Sequence, residues 1–246
     1  MLKVFSQSDT GLVRDSNEDA CRCGVCSQDA AWAVVCDGMG GVNGGNVASS
    51  IAVEKISETI LAGYREGMSG DCVRELIALA ISQANRSVHE MAGSDATLTG
   101  MGTTVVAVVI SGAVIHVAHA GDSRAYLLLP DAIRRLTTDH SVVQEMVDKG
   151  DLTEQQARNH PQKNIITRAL GVEASLRVDY SETPVPENCR LLICTDGLTN
   201  YAEEDRIFAL AKEYRGKELT EKLVAFAKSA GGGDNITVVV LEDQAV

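Results

Sequence analysis

The sequence predicts an α+β fold in which mainly antiparallel sheets carry helices on their faces. Three observations lead there. Short apolar, β-branched runs come in pairs joined by connections of hairpin length, and three longer blocks carry apolar residues at helical spacing on one face. The chain has 246 residues, 45% of them hydrophobic, which is enough to fill the interior that such layers enclose. No repeat, low-complexity tract or proline-rich linker divides it, so residues 1–246 are read as one domain.

Taken in order, the first strands are expected at Val4 to Thr10 and Ala31 to Cys36, each an apolar run closed by Gly or Asp. A helix follows at Asn46 to Tyr64, where Val53, Ile56, Ile60 and Tyr64 recur at steps of three and four. Asp71 to Met91 carries a fuller stripe of Val73, Leu76, Ile77, Ala80, Ala84, Val88 and Met91. Residues 96–121 contain no charged side chain and are long enough to suggest a membrane span. Ser111 and Gly112 split them into Thr103 to Ile110 and Ala113 to Ala120, with His116 and His119 inside the second piece, so the reading is a soluble hairpin. Strands are further expected at Ala125 to Leu129, Arg190 to Cys194 and Ile236 to Leu241. Residues 139–171 alternate short helical pieces with polar loops around Pro161, the pattern of a flap. Lys217 to Ala230 reads as a helix that stops in a left-handed cap at Gly231, Gly232 and Gly233.

Lys and Arg number 22 and Asp and Glu 34, a net charge of −12 spread over both halves of the chain. Nothing resembles a basic nucleic-acid footprint, so no nucleic-acid partner is expected. The opening MLKVFSQSDTG lacks the apolar core of a signal peptide, and the chain ends five residues after Leu241, leaving no membrane anchor; a cytoplasmic protein is expected. The seven cysteines are then reduced thiols. Cys21, Cys23 and Cys26 could hold zinc or serve redox chemistry, but no second pair at ligand spacing follows. They are read as incidental thiols in a hairpin loop.

The informative recurrence is an Asp at the edge of an apolar strand, in AWAVVCDGMGG, VAHAGDSRAY, RLLICTDGLTN and GGGDNITVVV. These residues are Asp37, Asp122, Asp196 and Asp234. Any one alone is an ordinary turn Asp beside Gly. Four such junctions can be aimed into one cleft, because strand ends in a packed sheet are rigid. Carboxylates forced together in a partly dry site must protonate or hold cations, and all-oxygen ligands select Mg²⁺ or Mn²⁺ over zinc. Near the N-terminus, Arg14 precedes the Glu18, Asp19 pair and offers a planar fork suited to phosphate oxygens.

Other phosphate chemistries fail on the letters. GMGGVNGG opens a helix after a strand but lacks the Lys of a P-loop and the dinucleotide glycine spacing, and Asp15 to Cys26 misses the Gly and Glu of a calcium-binding EF-hand loop. No cysteine has an arginine six positions later, and there is no G-x-S-x-G. What remains is hydrolysis by a metal-bound water.

The ordered set TGLVRDSNED, VVCDGMGG, GMGTTVVAVVI, HAGDSRAYLL, HSVVQEMVDKG, NIITRALG, LLICTDGLTN and GGGDNITVVV resembles the metal-dependent Ser/Thr protein phosphatases, the PPM or type 2C family, in compact bacterial form. The resemblance covers nearly the whole chain. It implies a four-layer α-β-β-α sandwich, two antiparallel sheets flanked by helices. It also implies a protein phosphatase acting on phosphoserine and phosphothreonine, with phosphorylated proteins as substrates and a Ser/Thr kinase as its opponent. By the same resemblance Asp37 bridges two metals, Asp196 and Asp234 complete the first site, and the Gly38 carbonyl with Glu18 or Asp19 serves the second. Arg14 then holds the substrate phosphate, and Asp122 with Asp196 matches a weaker third metal. Met39 stands where some relatives have a His thought to act as general acid, and Val42 and Asn43 replace a His that several bacterial relatives carry. A water on the third metal is the expected proton source. A small-molecule phosphoesterase or a catalytically weak phosphoprotein-binding module is the alternative.

Overall fold

The computed structural model describes residues 1–40 and 44–243; Val42 and Asn43 lie outside the described residues. Two antiparallel sheets stack face to face. The first joins β1 (Leu2–Asp9), β7 (Arg124–Leu128), β8 (Ile133–Arg135), β10 (Arg190–Cys194) and β11 (Ile236–Asp243) in the order β1-β11-β10-β7-β8. The second joins β2 (Asp19–Ser27), β3 (Ala30–Met39), β5 (Val105–Ser111), β6 (Val114–Ala120) and β9 (Asp179–Pro184) in the order β2-β3-β5-β6-β9, with short β4 (Gly102–Thr103) on the end of β3.

Side-chain alternation builds the layers. On β3, Ala31, Ala33 and Val35 point between the sheets, while Trp32, Val34 and Cys36 face the helices α1 (Gly44–Gly63) and α2 (Gly70–Ser94). On β11, Val239 and Leu241 join the inter-sheet core, and Val238 and Val240 pack under α6 (Glu204–Glu213) and α7 (Gly216–Ser229). Strands buried on both faces read as unbroken apolar runs, which is why β3, β5 and β11 stand out in the sequence. Each fully buried Val, Leu or Ile there contributes about 1.5–3 kcal/mol. The result is the α-β-β-α sandwich that the family resemblance implies.

The charge-free stretch folds as the β5–β6 hairpin, Ser111 pairing with Val114 across Gly112 at φ +56°. Among the described residues no helix is long and apolar enough to cross a membrane. Thr104 interrupts the run read as one strand, so that Gly102 and Thr103 pair with β3 separately. Between β8 and β9 the chain forms the short helices α3 (Val142–Asp148), capped by Ser141, and α4 (Glu154–Arg158), opened by a Thr153–Gln156 capping box. The one-turn α5 (Asp196–Thr199) follows β10 directly.

One expectation is overturned. Cys21 and Cys23 lie on strand β2, paired along β3 in register Cys21↔Val35 and Cys23↔Ala33, not in a hairpin loop. Both pack against the inter-sheet core, and burial pushes the Cys21 thiol up to about 11. Cys26 is exposed at a register shift near the end of the strand.

Candidate active site

At one end of the sandwich, strand ends from both sheets deliver carboxylates to a common mouth. Asp37 sits near the C-terminal end of β3 and Asp19 begins β2, and the two are direct cross-strand partners. Asp196 opens α5 after β10, Asp122 occupies the turn from β6 to β7, and Asp234 precedes β11. All five residues are half-buried.

Neighbouring polar groups hold this arrangement. The Asp37 amide donates to Thr104 Oγ1 at 2.9 Å, and its carbonyl accepts from Thr103 Oγ1 at 2.8 Å and from the Thr104 amide at 2.9 Å. Thr104 Oγ1 in turn meets Ser123 Oγ at 2.8 Å. Thr195 donates to Asp19 Oδ2 at 2.9 Å, and Asn200 Nδ2 to Asp196 Oδ2 at 2.9 Å. Arg14 Nη2 donates to Asp234 Oδ2 at 2.9 Å, so the guanidinium lies over this cluster.

Electrostatics follow from the crowding. Burial, then the charges of Asp19, Asp196, Asp122 and Asp234, raises the Asp37 carboxyl well above the ordinary carboxylate range. Burial and Asp196 do the same to Asp122, and burial and Asp234 raise Asp196. Asp19 is pushed up to about 7, chiefly by burial, against the hydroxyls of Thr237 and Thr195. Burial raises Glu18 as well.

Does this set suit a divalent cation? No group of three or more His, Cys, Asp or Glu among the described residues stands ready-made around one ion. The donors are nevertheless all oxygen, their mutual repulsion is what a hard cation relieves, and Asp19 Oδ1 is buried with no hydrogen-bond partner. A β-carbon on Gly38 would run into the Gly45 and Glu18 carbonyls, so the backbone is pressed close to the Glu18 segment, to which the Gly38 amide donates at 3.1 Å. Oxygen-seeking cations fit this chemistry.

The structure thus brings together Asp37, Asp19, Asp196, Asp122 and Asp234, with Arg14, Glu18 and Gly38 at the rim. Asn235 was missed by the sequence reading. Its Nδ2 donates to the Thr10 and Ser16 carbonyls, both at 2.9 Å, and its Oδ1 accepts from the Glu18 amide at 2.7 Å, which clamps the loop carrying Arg14 and Glu18. The only signal in the letters was an Asn beside Asp234 ahead of an apolar run. Thr195 and Thr104, which hold Asp19 and Asp37, gave no signal at all, because their partners lie more than sixty residues away in sequence.

The protein phosphatase 2C family model matches residues 13–229. The chain belongs to the protein phosphatase 2C family. The serine/threonine phosphatase stp of Listeria innocua is 38% identical over 242 residues, covering 96% of this chain and 94% of that protein. Among solved structures, the serine/threonine phosphatase Stp1 from Staphylococcus aureus superposes with a TM-score of 0.92 at 30% identity, covering 100% of this chain and 96% of that one. The catalytic domain of the serine/threonine protein phosphatase PstP, solved with two manganese ions, gives a TM-score of 0.85 at 29% identity and covers 98% and 97% of the two chains. As a 2C-family member this chain is a phosphoprotein phosphatase, and its carboxylate mouth lies within the matched residues except for Asp234 and Asn235.

One consequence concerns stability. A carboxyl whose folded pKa lies above its unfolded value makes the native state bind more protons, so stability falls as pH rises through the folded value. The melting temperature of metal-free protein is therefore expected to fall further below that of Mn²⁺-loaded protein as pH rises from about 5 through about 7, the value to which Asp19 is pushed; the histidines and thiols are common to both forms and cancel in the difference. Differential scanning calorimetry in EDTA and in Mn²⁺ checks this; a difference that does not grow over the window means the carboxyls are not strained.

Proposed function

We propose that the mouth of Asp37, Asp196 and Asp234 is the catalytic centre for hydrolysis of phosphoserine and phosphothreonine in proteins, within a single phosphatase domain whose residues 139–171 act as a flap. The observation that carries this reading is that Asp19, Asp196, Asp122 and Asp234, delivered from both sheets, all press their charge on Asp37 at one mouth, with Arg14 bonded to Asp234. Two cations, Mn²⁺ or Mg²⁺, would be held by Asp37, Asp196 and Asp234, with the Gly38 carbonyl and Glu18 or Asp19, and a third, weaker one by Asp122 and Asp196. When bound, they lower the pKa of water and draw charge from the phosphoryl oxygens.

This chain's own residues do the rest. Arg14 turns from Asp234 to the substrate phosphate and orients it with its two-pronged donor face. Asn235 keeps the Arg14 loop at the right height. A groove of about 690 Å³ runs from Asp122 and Asp196 past Arg158, Lys163 and Glu203, and takes the peptide flanking the phosphorylated residue. Met39 has no proton to give, so leaving-group protonation belongs to the Asp122 side of the mouth. The opponent is a Ser/Thr kinase, and the setting is cytoplasmic.

The deciding assay follows phosphate release from a phosphothreonine peptide with Mn²⁺, with Mg²⁺, or after exhaustive chelation. Turnover is expected with either cation and none with EDTA; full turnover after chelation sinks the reading. Arg14→Ala should mainly raise KM, by about ten- to a hundredfold, as the loss of a charge-assisted contact of about 1.5–3 kcal/mol implies. Unchanged KM and kcat would leave Arg14 as no more than the ion-pair partner of Asp234.

A further inference from the structure

Away from the carboxylates, a cleft of about 340 Å³ lies between α2 and the β9 edge of the second sheet. Its size is that of a small-molecule site. One wall is a single face of α2, where Arg74, Ala78, Ser82 and Asn85 succeed one another at steps of three and four. The small side chains of Ala78 and Ser82 leave the room. The facing wall is the segment from Ala174 to Val178, whose Leu176 and Val178 are half-buried and apolar, and the fully buried Ile81 and Ala118 close the floor.

The two ends differ in chemistry. At one end the Arg74 guanidinium lies 5.0 Å from the centre of the Tyr180 ring and forms no ion pair among the described residues. The ring itself is pinned, its hydroxyl meeting His116 Nδ1 at 2.7 Å and donating to Glu182 Oε1 at 2.7 Å. No other charged side chain lines the cleft among the described residues. The complement of one exposed, ring-stacked cation and an apolar wall is a molecule with one anionic group and a compact apolar body.

At the other end Asn85 ties the wall to the rest of the fold. Its Nδ2 donates to the carbonyls of Glu173 at 2.9 Å and Ala174 at 3.3 Å, and its Oδ1 accepts from the Gly171 amide at 2.7 Å. The next residue, Leu170, exchanges backbone hydrogen bonds with Thr103 at 2.8 and 3.0 Å, and Thr103 Oγ1 donates to the Asp37 carbonyl. The wall of the cleft therefore continues into the support behind Asp37.

We propose that this cleft binds a small amphipathic carboxylate, whose head meets Arg74 and whose body packs against Leu176 and Val178, and that occupancy steadies the Gly171–Leu170–Thr103 support of Asp37. Binding draws on two sources, a charge-assisted contact at Arg74 and removal of the half-buried Leu176 and Val178 from water. Its effect on the support is an ordering of backbone already bonded to α2, which hydrogen exchange reads directly.

The probe is 1-naphthoate, titrated calorimetrically into the full chain with Mn²⁺ present, with amide exchange followed at Gly171 and Leu170. One saturable site and slower exchange at both amides are expected. Arg74→Met, which keeps the stem and removes the charge, should weaken binding at least about tenfold. Ser82→Trp should fill the cleft and abolish it. Both variants should hydrolyse p-nitrophenyl phosphate at the wild-type rate, which shows that they fold, while the calorimetry reads the cleft without reference to phosphatase activity. No saturable binding up to about 10 mM overturns the proposal, as does equal affinity in both variants, which assigns the naphthoate to the Mn²⁺-loaded mouth instead. Binding without slower exchange removes the link to Asp37.

Discussion

Asp37→Asn is expected to lower kcat on a phosphothreonine peptide by about 10²–10³-fold or more while leaving the protein folded, since groups that stabilise charge in a transition state contribute on that scale. The amide keeps the shape and the backbone bonds to Thr103 and Thr104 but removes the charge that every neighbouring carboxyl faces. The same substitution has an opposite effect on the metal-free fold. Asp37 is the group on which Asp19, Asp196, Asp122 and Asp234 all act, so neutralising it relieves repulsion at the mouth. Metal-free Asp37→Asn should therefore melt higher than metal-free wild type, and its stabilisation by Mn²⁺ should be smaller. Measuring kcat together with both melting curves separates loss of function from loss of fold. Wild-type kcat at normal metal occupancy would remove Asp37 from the centre.

The Asp37 site was legible in the sequence for a physical reason. A carboxylate at the end of a strand buried on both faces is conspicuous against apolar letters, and the strand's rigidity makes its direction matter. Asp122, Asp196 and Asp234 shared that advantage. The strand bearing Asp19 did not. DACRCGVCS mixes Arg22 and Gly24 with small thiols and has one β-branched residue, so its strand state is imposed by pairing along β3 and not by its own propensity. Edge strand β9, DYSETP, is polar for the same reason that it is an edge, with a half-exposed pattern that resembles a loop. Helix α6 was missed although Ile207, Leu210 and Ala211 keep the helical spacing, because ten residues give too few turns to stand out. Side chains that orient others were the least legible. A hydroxyl or amide acts through a partner chosen by the fold, and Thr195 lies 176 residues from Asp19.

Asn235 carries the second large effect. Its side chain, only 5% exposed, makes three hydrogen bonds to the loop from Thr10 to Glu18, and its backbone amide also donates to Asp234 Oδ1 at 2.9 Å. Asn235→Ala deletes the three side-chain bonds and strands two carbonyls and one amide in a part-buried place, which costs about 1–3 kcal/mol of stability. The loop it releases holds Arg14 and Glu18, so kcat/KM on the phosphopeptide should fall by about 10²-fold, the scale of a misplaced positioning group. Asn235→Asp sharpens the test. The carboxylate can still accept from the Glu18 amide, but it turns the contacts with the Thr10 and Ser16 carbonyls into oxygen facing oxygen, and it adds negative charge beside Asp234. Activity should fall with the Asp as well as the Ala, and the Asp variant should need less Mn²⁺ for half-maximal rate if the extra charge reaches the mouth. Wild-type kcat/KM in Asn235→Ala, with only the melting temperature lowered, would show that the clamp serves the fold alone and that the Arg14 loop finds its place without it.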